Sequence, residues 1–440
     1  MSRESNMLEA IKAMPRYEGY KDSQEDWIGS IPTHWKERKL KHLFYEKKHT
    51  PNMELSCGSI SFGEVVEKDD EKIPLSTKKS YQEVCVGEYL VNPLNLNYDL
   101  KSLRIGLSEI NVVVSAGYIV LKNYKGISRE YFKYLLHRYD VAYMKLLGSG
   151  VRQTINFGHI ANSILLCPPI EEQTAIATYL DRKTAQIDRA VQIKQQQIDL
   201  LKERKQILIQ NAVTRGLNPH APLRDSGVEW IGEIPAHWEV RRSKFVFTQR
   251  KELARKDDIQ LSATQAYGVI PQDVYEDRIG RKVTKVTLHL EKRKHVEIDD
   301  FVISMRSFQG GLERAWAQGC IRSSYVVLRP LEKISAGFYA YLFKCSRYIS
   351  ALQTTANFIR DGQDLNFENF SLVDLMIPPI EEQDAIAKHI ETQSAKIDQT
   401  IALQQQQIER LKEYKVTLIN SAVTGKIKVP GVVDNREAAA

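Results

Sequence analysis

Apolar residues recur at alternating steps of four and three through two stretches of the chain. The first runs Leu180, Thr184, Ile187, Val191, Lys194, Ile198, Leu201, Lys205, Leu208, Ala212. The second, displaced by 210 positions, runs Ile390, Ser394, Ile397, Ile401, Gln404, Ile408, Leu411, Lys415, Leu418, Ala422. A seam sustained over more than four heptads predicts two long helices of coiled-coil type. Each follows a proline pair, Pro168-Pro169 or Pro378-Pro379, and opens on two glutamates. Both are helix-start signals, because the first turn has spare N–H groups and favours acids. The glutamines at 195–197 and 404–407 read as a solvated face of these helices. The 33 residues from Leu180 to Ala212 would span roughly 50 Å. Two seams of equal length most simply pack on each other. Antiparallel packing would put whatever precedes each helix at opposite ends of a rod, a ruler geometry; parallel packing or separate docking on partner helices are the alternatives.

The chain repeats itself. DWIGSIPTHW (26–35) returns as EWIGEIPAHW (229–238), and PPIEEQ (168–173) returns unchanged at 378–383. LKERKQILIQNAVT (201–214) returns as LKEYKVTLINSAVT (411–424). Such self-similarity marks a tandem duplication. Between the Trp-containing box and the proline pair the copies share little. A frame made of 1–35, 168–238 and 378–440 therefore holds two variable inserts, 36–167 and 239–377. A constant frame with unlike inserts suggests one kind of partner bound twice by the frame and two targets read by the inserts.

Both inserts mix short β-rich runs with helices. VSAGYIVLK (114–122) matches RSSYVVLRP (322–330), and the aromatic amphipathic stretches 127–147 and 334–353 match as helices. Tyr134, Phe338 and Tyr341 in those helices read as core rather than as stacking platforms.

Charge sharpens the picture. The chain has 440 residues, a net charge of +7 and a pI near 8.9. The first insert carries 19 Lys/Arg against 14 Asp/Glu and the second 22 against 17, each a net +5. The inserts together hold more than the whole surplus, as a surface meeting a phosphate backbone would require. The five cysteines stand singly, without C-x-x-C spacing, which argues for a reducing compartment and against a disulfide framework or zinc site. No signal-peptide pattern or membrane-length apolar run is present, so a cytoplasmic protein without membrane contact is expected.

Two local features in each insert carry candidate chemistry. GSGVRQTINF (148–157) aligns with ANFIRDGQDLNF (356–367), offering Arg152, Gln153 and Asn156 beside Arg360, Gln363 and Asn366. Arg and Gln/Asn present the donors and acceptors that match guanine and adenine edges. The two asparagines could equally cap the backbone. In the second insert ISMRSFQGG (303–311) follows a strand and offers Arg306, Ser307 and Gln309 before a Gly310-Gly311 hinge, with Arg322 downstream. Its counterpart, LVNPLNLNYDLKSLR (90–104), offers Asn92, Asn95, Asn97, Lys101 and Arg104. Catalytic patterns are missing. There is no phosphate-binding G-x-x-x-x-G-K-[ST] loop. NPLN (92–95) lacks the second proline and aromatic of an amino-methyltransferase motif, and the histidines have no metal-ligand spacing. His34 and His237 read as packing beside Trp35 and Trp238.

The duplicated W-I-G-x-I-P-x-H-W boxes, the duplicated P-P-I-E-E-Q helix openings, the A-V-T endings and the SMRSFQGG run together resemble type I restriction–modification specificity subunits over nearly the whole chain. The resemblance implies an α+β fold: two mixed α/β target recognition domains joined by two long helices that pair as an antiparallel coiled coil. It implies a non-catalytic subunit without a cofactor of its own. Double-stranded DNA would be read as a bipartite, asymmetric site. Two methyltransferase subunits carrying S-adenosylmethionine, and restriction subunits, would be partners. One departure is that no third box follows the second helix, so closure of the cycle rests on the N-terminal segment. A coiled-coil scaffold whose inserts bind proteins is the alternative.

Overall fold

The computed structural model describes residues 5–95, 103–147, 153–283, 290–355 and 365–432. It divides into two compact units, residues 1–194 with 406–440, and residues 195–405. Each unit thus combines one insert with parts of both long helices.

In unit 1 the central sheet holds β1 (Phe44–Glu46), β2 (Tyr89–Val91), β3 (Ile105–Leu107) and β4 (Ile119–Asn123) in the order β3-β2-β4-β1, all antiparallel. Helix α1 (Arg129–Ala142) begins at Ser128, whose hydroxyl accepts from the Tyr131 amide as an N-cap. The helix covers the sheet through aromatic edges: Phe44 meets Tyr89 at 5.4 Å and Phe132 at 5.3 Å, both nearly perpendicular. The first long helix, α2, is Ile170–Arg215.

Unit 2 repeats this plan. Its sheet holds β5 (Phe247–Arg250), β6 (Phe301–Ile303), β7 (Glu313–Arg314) and β8 (Val326–Pro330) in the matching order β7-β6-β8-β5. Phe247 lies edge-on to Phe301 and Tyr339, repeating the contacts of Phe44. The stretch expected as one helix over 334–353 is two, α3 (Ala336–Leu342) and α4 (Ser346–Thr354). Cys345 is extended between them, and the preceding Lys344 turns inward to hold the Gly310 carbonyl at 2.9 Å and Glu313 at 2.5 Å. The second long helix, α5, is Ile380–Val423.

The two long helices run antiparallel. Within unit 1, Asp188 pairs with Lys415 at 2.7 Å and Lys194 with Gln407, so numbering falls along one helix as it rises along the other. Within unit 2, Lys205 reaches Asp398 at 2.7 Å. These exposed pairs fix register more than they add stability. The seam is apolar. Leu180, Ile187, Ile198, Ile390, Ile408, Leu411 and Leu418 are buried, and Val191, Leu201, Leu208, Ile397 and Ile401 are half-buried. The polar rungs Thr184 and Ser394 are buried among them.

The repeated boxes lock onto the start of each long helix. In unit 1 Glu172, only 7% exposed, accepts from Trp35 Nε1 at 2.9 Å and from the Tyr17 hydroxyl at 3.2 Å, and meets His34 Nε2 at 2.6 Å. In unit 2 Glu382 receives Trp238 at 2.9 Å and His237 at 2.6 Å. The neighbouring glutamine ties each helix start to the insert. Gln173 donates to the Pro168 carbonyl and accepts from the Ser128 amide, while Gln383 does the same with Pro378 and Ser335. Each long helix ends on a left-handed glycine, Gly216 or Gly425, where a side chain would press on the box tryptophan, Trp238 or Trp35. The end of α5 therefore meets the N-terminal box as the end of α2 meets the second. The Lys428 amide adds a 2.7 Å bond to the Pro15 carbonyl.

Candidate nucleic-acid interface

Equivalent strands precede the candidate segments of both inserts. β2 and β6 occupy the same place in their sheets, and residues 92–104 and 304–312 follow them. Asn92, Asn95 and Arg104 belong to the first of these segments and Arg306, Ser307 and Gln309 to the second.

In unit 1, Leu94–Asn95 pairs antiparallel with Gln153–Thr154, Asn95 opposite Gln153, so the two candidate segments of this insert are joined in one place. The Ile155 amide adds a 3.0 Å bond to the Pro93 carbonyl. Asn92 is half-buried and its side-chain oxygen accepts from the Leu94 amide at 3.0 Å, shaping the turn. Arg104 does not face solvent. It is 6% exposed, and its Nε donates to Asp140 at 2.9 Å, while its own amide bonds the other oxygen of that carboxylate. Burial pushes the Asp140 carboxyl up and the bonds from Arg104 draw it back. A guanidinium committed to a buried carboxylate is a strut of the fold, so the expectation that Arg104 meets a base is corrected.

In unit 2, Arg306 and Gln309 are exposed, as is Arg322 in the turn before β8. Ser307 is fully buried. Its hydroxyl accepts from the Ser304 amide at 2.9 Å and closes the turn, which removes it from the reading set. The Arg306 carbonyl is held by Gln265 Nε2 at 3.2 Å, so the backbone beneath that guanidinium is fixed from a neighbouring hairpin. The glycine pair is no hinge: a Cβ on Gly311 would lie 2.0 Å from the Phe343 carbonyl oxygen, and the Phe308 carbonyl accepts from Gln353 at 2.7 Å. The glycines are there for close packing.

The two asparagines cap helices. Asn156 accepts from the His159 amide at 3.1 Å and Asn366 from the Asn369 amide at 3.0 Å, each with the reciprocal side-chain bond of a capping box. Asn97, Lys101, Arg152, Arg360 and Gln363 lie outside the described residues.

Large apolar side chains that the sequence pattern did not single out also stand in solvent. Phe62, at the tip of the hairpin Gly58–Ser61/Glu64–Glu67, is 77% exposed with φ +48°. Met305 and Trp316 are 66% and 56% exposed beside Arg306 and β7. One cluster, Glu252, His295 and Glu297, sets three potential ligand atoms within 4.8 Å of one another. Arg250 and Arg255 already bind both carboxylates and Asp258 holds His295 Nδ1 at 2.8 Å, so the group is a salt-bridge network pinning the 250–258 loop. Among the described residues no helix is long and apolar enough to cross a membrane.

The family described as type I restriction modification DNA specificity domain matches this chain twice, over residues 32–203 and 235–413. Each match takes in one insert and most of the long helix after it. The chain therefore belongs to the family of type I restriction–modification DNA specificity subunits. It is 23% identical over 427 residues to a type I restriction enzyme specificity subunit of Methanocaldococcus jannaschii, covering 91% of this chain and 96% of that one. Over 104 residues it is 36% identical to the EcoKI specificity subunit of Escherichia coli K12, about a fifth of either chain (23% and 22%). In fold it is similar to a solved structure from work on complex assembly and conformational transition of the type I R–M system. That likeness has a TM-score of 0.61 at 14% identity and covers 89% of this chain and 98% of the other. Nothing in these matches supports the protein-binding scaffold.

Proposed function

We propose that each unit presents its loops to one half of a bipartite, asymmetric site in double-stranded DNA. The frame docks two methyltransferase subunits, which bring S-adenosylmethionine and methylate adenine, and restriction subunits join that assembly. The chain itself supplies recognition, holds no cofactor, contributes no catalytic group and works in the cytoplasm. The observation that carries this reading is that equivalent strands lead into segments of unlike chemistry, amide-rich in sequence after β2 and Arg306 with Gln309 after β6.

Arg306 is the sharpest handle because its guanidinium is exposed while its backbone is fixed. A bidentate contact from such a group to guanine contributes about 1–3 kcal/mol of discrimination. Arg306→Ala in the assembled methyltransferase should relax the modified sequence at one base position. A uniform loss on every sequence with a shallower salt dependence would assign Arg306 to a phosphate instead.

A further inference from the structure

We propose that Trp316 makes an apolar contact to base edges in the half-site read by unit 2 and sets specificity beside the base read by Arg306. The inference rests on the DNA-reading function proposed above.

An exposed tryptophan is ordinarily either incidental or an anchor for a partner. Trp316 is held too firmly to be incidental. Its amide donates to the Val269 carbonyl at 2.9 Å, and the preceding Ala315, fully buried, donates to the Asp300 carbonyl at 2.8 Å. Gly268 lets the indole lie close: a Cβ there would stand 2.8 Å from Trp316 Nε1. The Arg314 guanidinium lies over the ring, 4.2 Å from its centroid. Asp299 in turn fixes that guanidinium, with Nε at 2.7 Å and an Nη at 2.6 Å from one carboxylate oxygen. Asp299 stands at φ +71° in the turn closed by the Asp300 amide on the Glu297 carbonyl, a left-handed position that aspartate enters more readily than most residues, and its own amide donates to the Ala315 carbonyl at 2.9 Å.

The charge arrangement selects the kind of contact. Arg314 is neutralised by Asp299, so this arm offers DNA little net positive charge and is poorly suited to a phosphate. What it offers is a rigid, flat apolar ring, with Met305 as a second apolar side chain nearby in the chain to Arg306. The hairpin turn Gln265–Gly268 links the two parts, since Gln265 holds the Arg306 carbonyl and Gly268 abuts Trp316. A guanidinium and an apolar ring tied to one hairpin turn would match the mixed edge that the major groove displays, polar atoms beside the thymine methyl.

The full chain co-expressed with its methyltransferase subunits is the test, read by sequencing modified sites and by DNA binding across a salt series. Trp316→Ala should relax one base position in one half-site, lowering discrimination there about 5- to 50-fold, with the salt slope unchanged. Trp316→Phe should keep most of the discrimination. Asp299→Asn, which loosens the Arg314 support, should fall between them and marks Asp299 as a positioning residue. An unchanged site in Trp316→Ala, or a uniform loss with a shallower slope, overturns the inference. If Arg306→Ala still relaxes one position in that case, the DNA-reading function survives without it. A wild-type complex without sequence preference would overturn both.

Discussion

Glu172 and Glu382 are the same residue of the same repeated motif, yet they stand in different surroundings. Glu172 is buried beneath Tyr17 and accepts from three side chains, whereas the Glu382 side chain is 41% exposed beside a cleft of about 280 Å³ that no tyrosine fills. Removing a buried acceptor leaves Trp35 and Tyr17 with unsatisfied donors, at about 1–3 kcal/mol. Removing the exposed one lets water replace it, at under about 1 kcal/mol. Glu172→Ala should therefore raise hydrogen exchange through unit 1 markedly, and Glu382→Ala should do so only weakly in unit 2. Equal effects would mean that burial of the acceptor does not set what the lock contributes. The sequence displayed these acids but not their work. A glutamate in a first turn suits the helix dipole whether or not a tryptophan from over a hundred residues away donates to it. Arg104 and Ser307 depart from expectation in the converse sense, and for Asn156 and Asn366 the structure shows the capping reading of the two that the sequence offered. Their donors and acceptors suit bases, but the same groups satisfy carboxylates and backbone amides, and local pattern cannot tell the two uses apart.

Among the elements, the long helices were the most legible, because heptad spacing, proline starts and acidic first turns all agree over four or more heptads. Antiparallel pairing was one of three arrangements that the pattern allowed; the Asp188–Lys415 and Lys194–Gln407 partners select it. The break between α3 and α4 was illegible, since it depends on Lys344 reaching Glu313 and Gly310 across the fold. Continuity of α2 can be tested directly. Four residues inserted after Gln196 form a stutter that keeps the seam nearly in register. They lengthen the helix by about 6 Å and rotate its downstream half by about 40°. If the helices set the distance between half-sites, the unspecified spacer in the modified sequence should change length while the bases read in each half stay the same. An unchanged spacer would leave the helices as a docking surface alone.

At the scale of the whole molecule, the duplication makes each insert a closed excursion from the frame. Lys36–Lys39 pairs with Ile164–Cys167, Lys36 opposite Cys167, and Glu239–Arg242 pairs with Asp374–Ile377, Glu239 opposite Ile377. An insert thus leaves and rejoins the frame at one point, and exchanging it need not move the helices. The exchange is constrained elsewhere, because the aromatic helix of the insert belongs to the frame's core. The Tyr131 hydroxyl donates to the Val423 carbonyl at 3.2 Å and the Tyr134 hydroxyl to Asp181 at 2.6 Å. A graft that replaces 36–167 by the insert of a relative should be most stable if it keeps aromatic residues with hydroxyls at these two positions, each lost bond costing about 0.5–1.5 kcal/mol. Given that, the modified sequence should change in one half-site and remain as before in the other, because unit 2 contains none of the exchanged residues. Sequencing the modified sites of the hybrid decides the matter. A change in both halves would mean that the two inserts read DNA jointly, and the division of recognition between two units would be wrong.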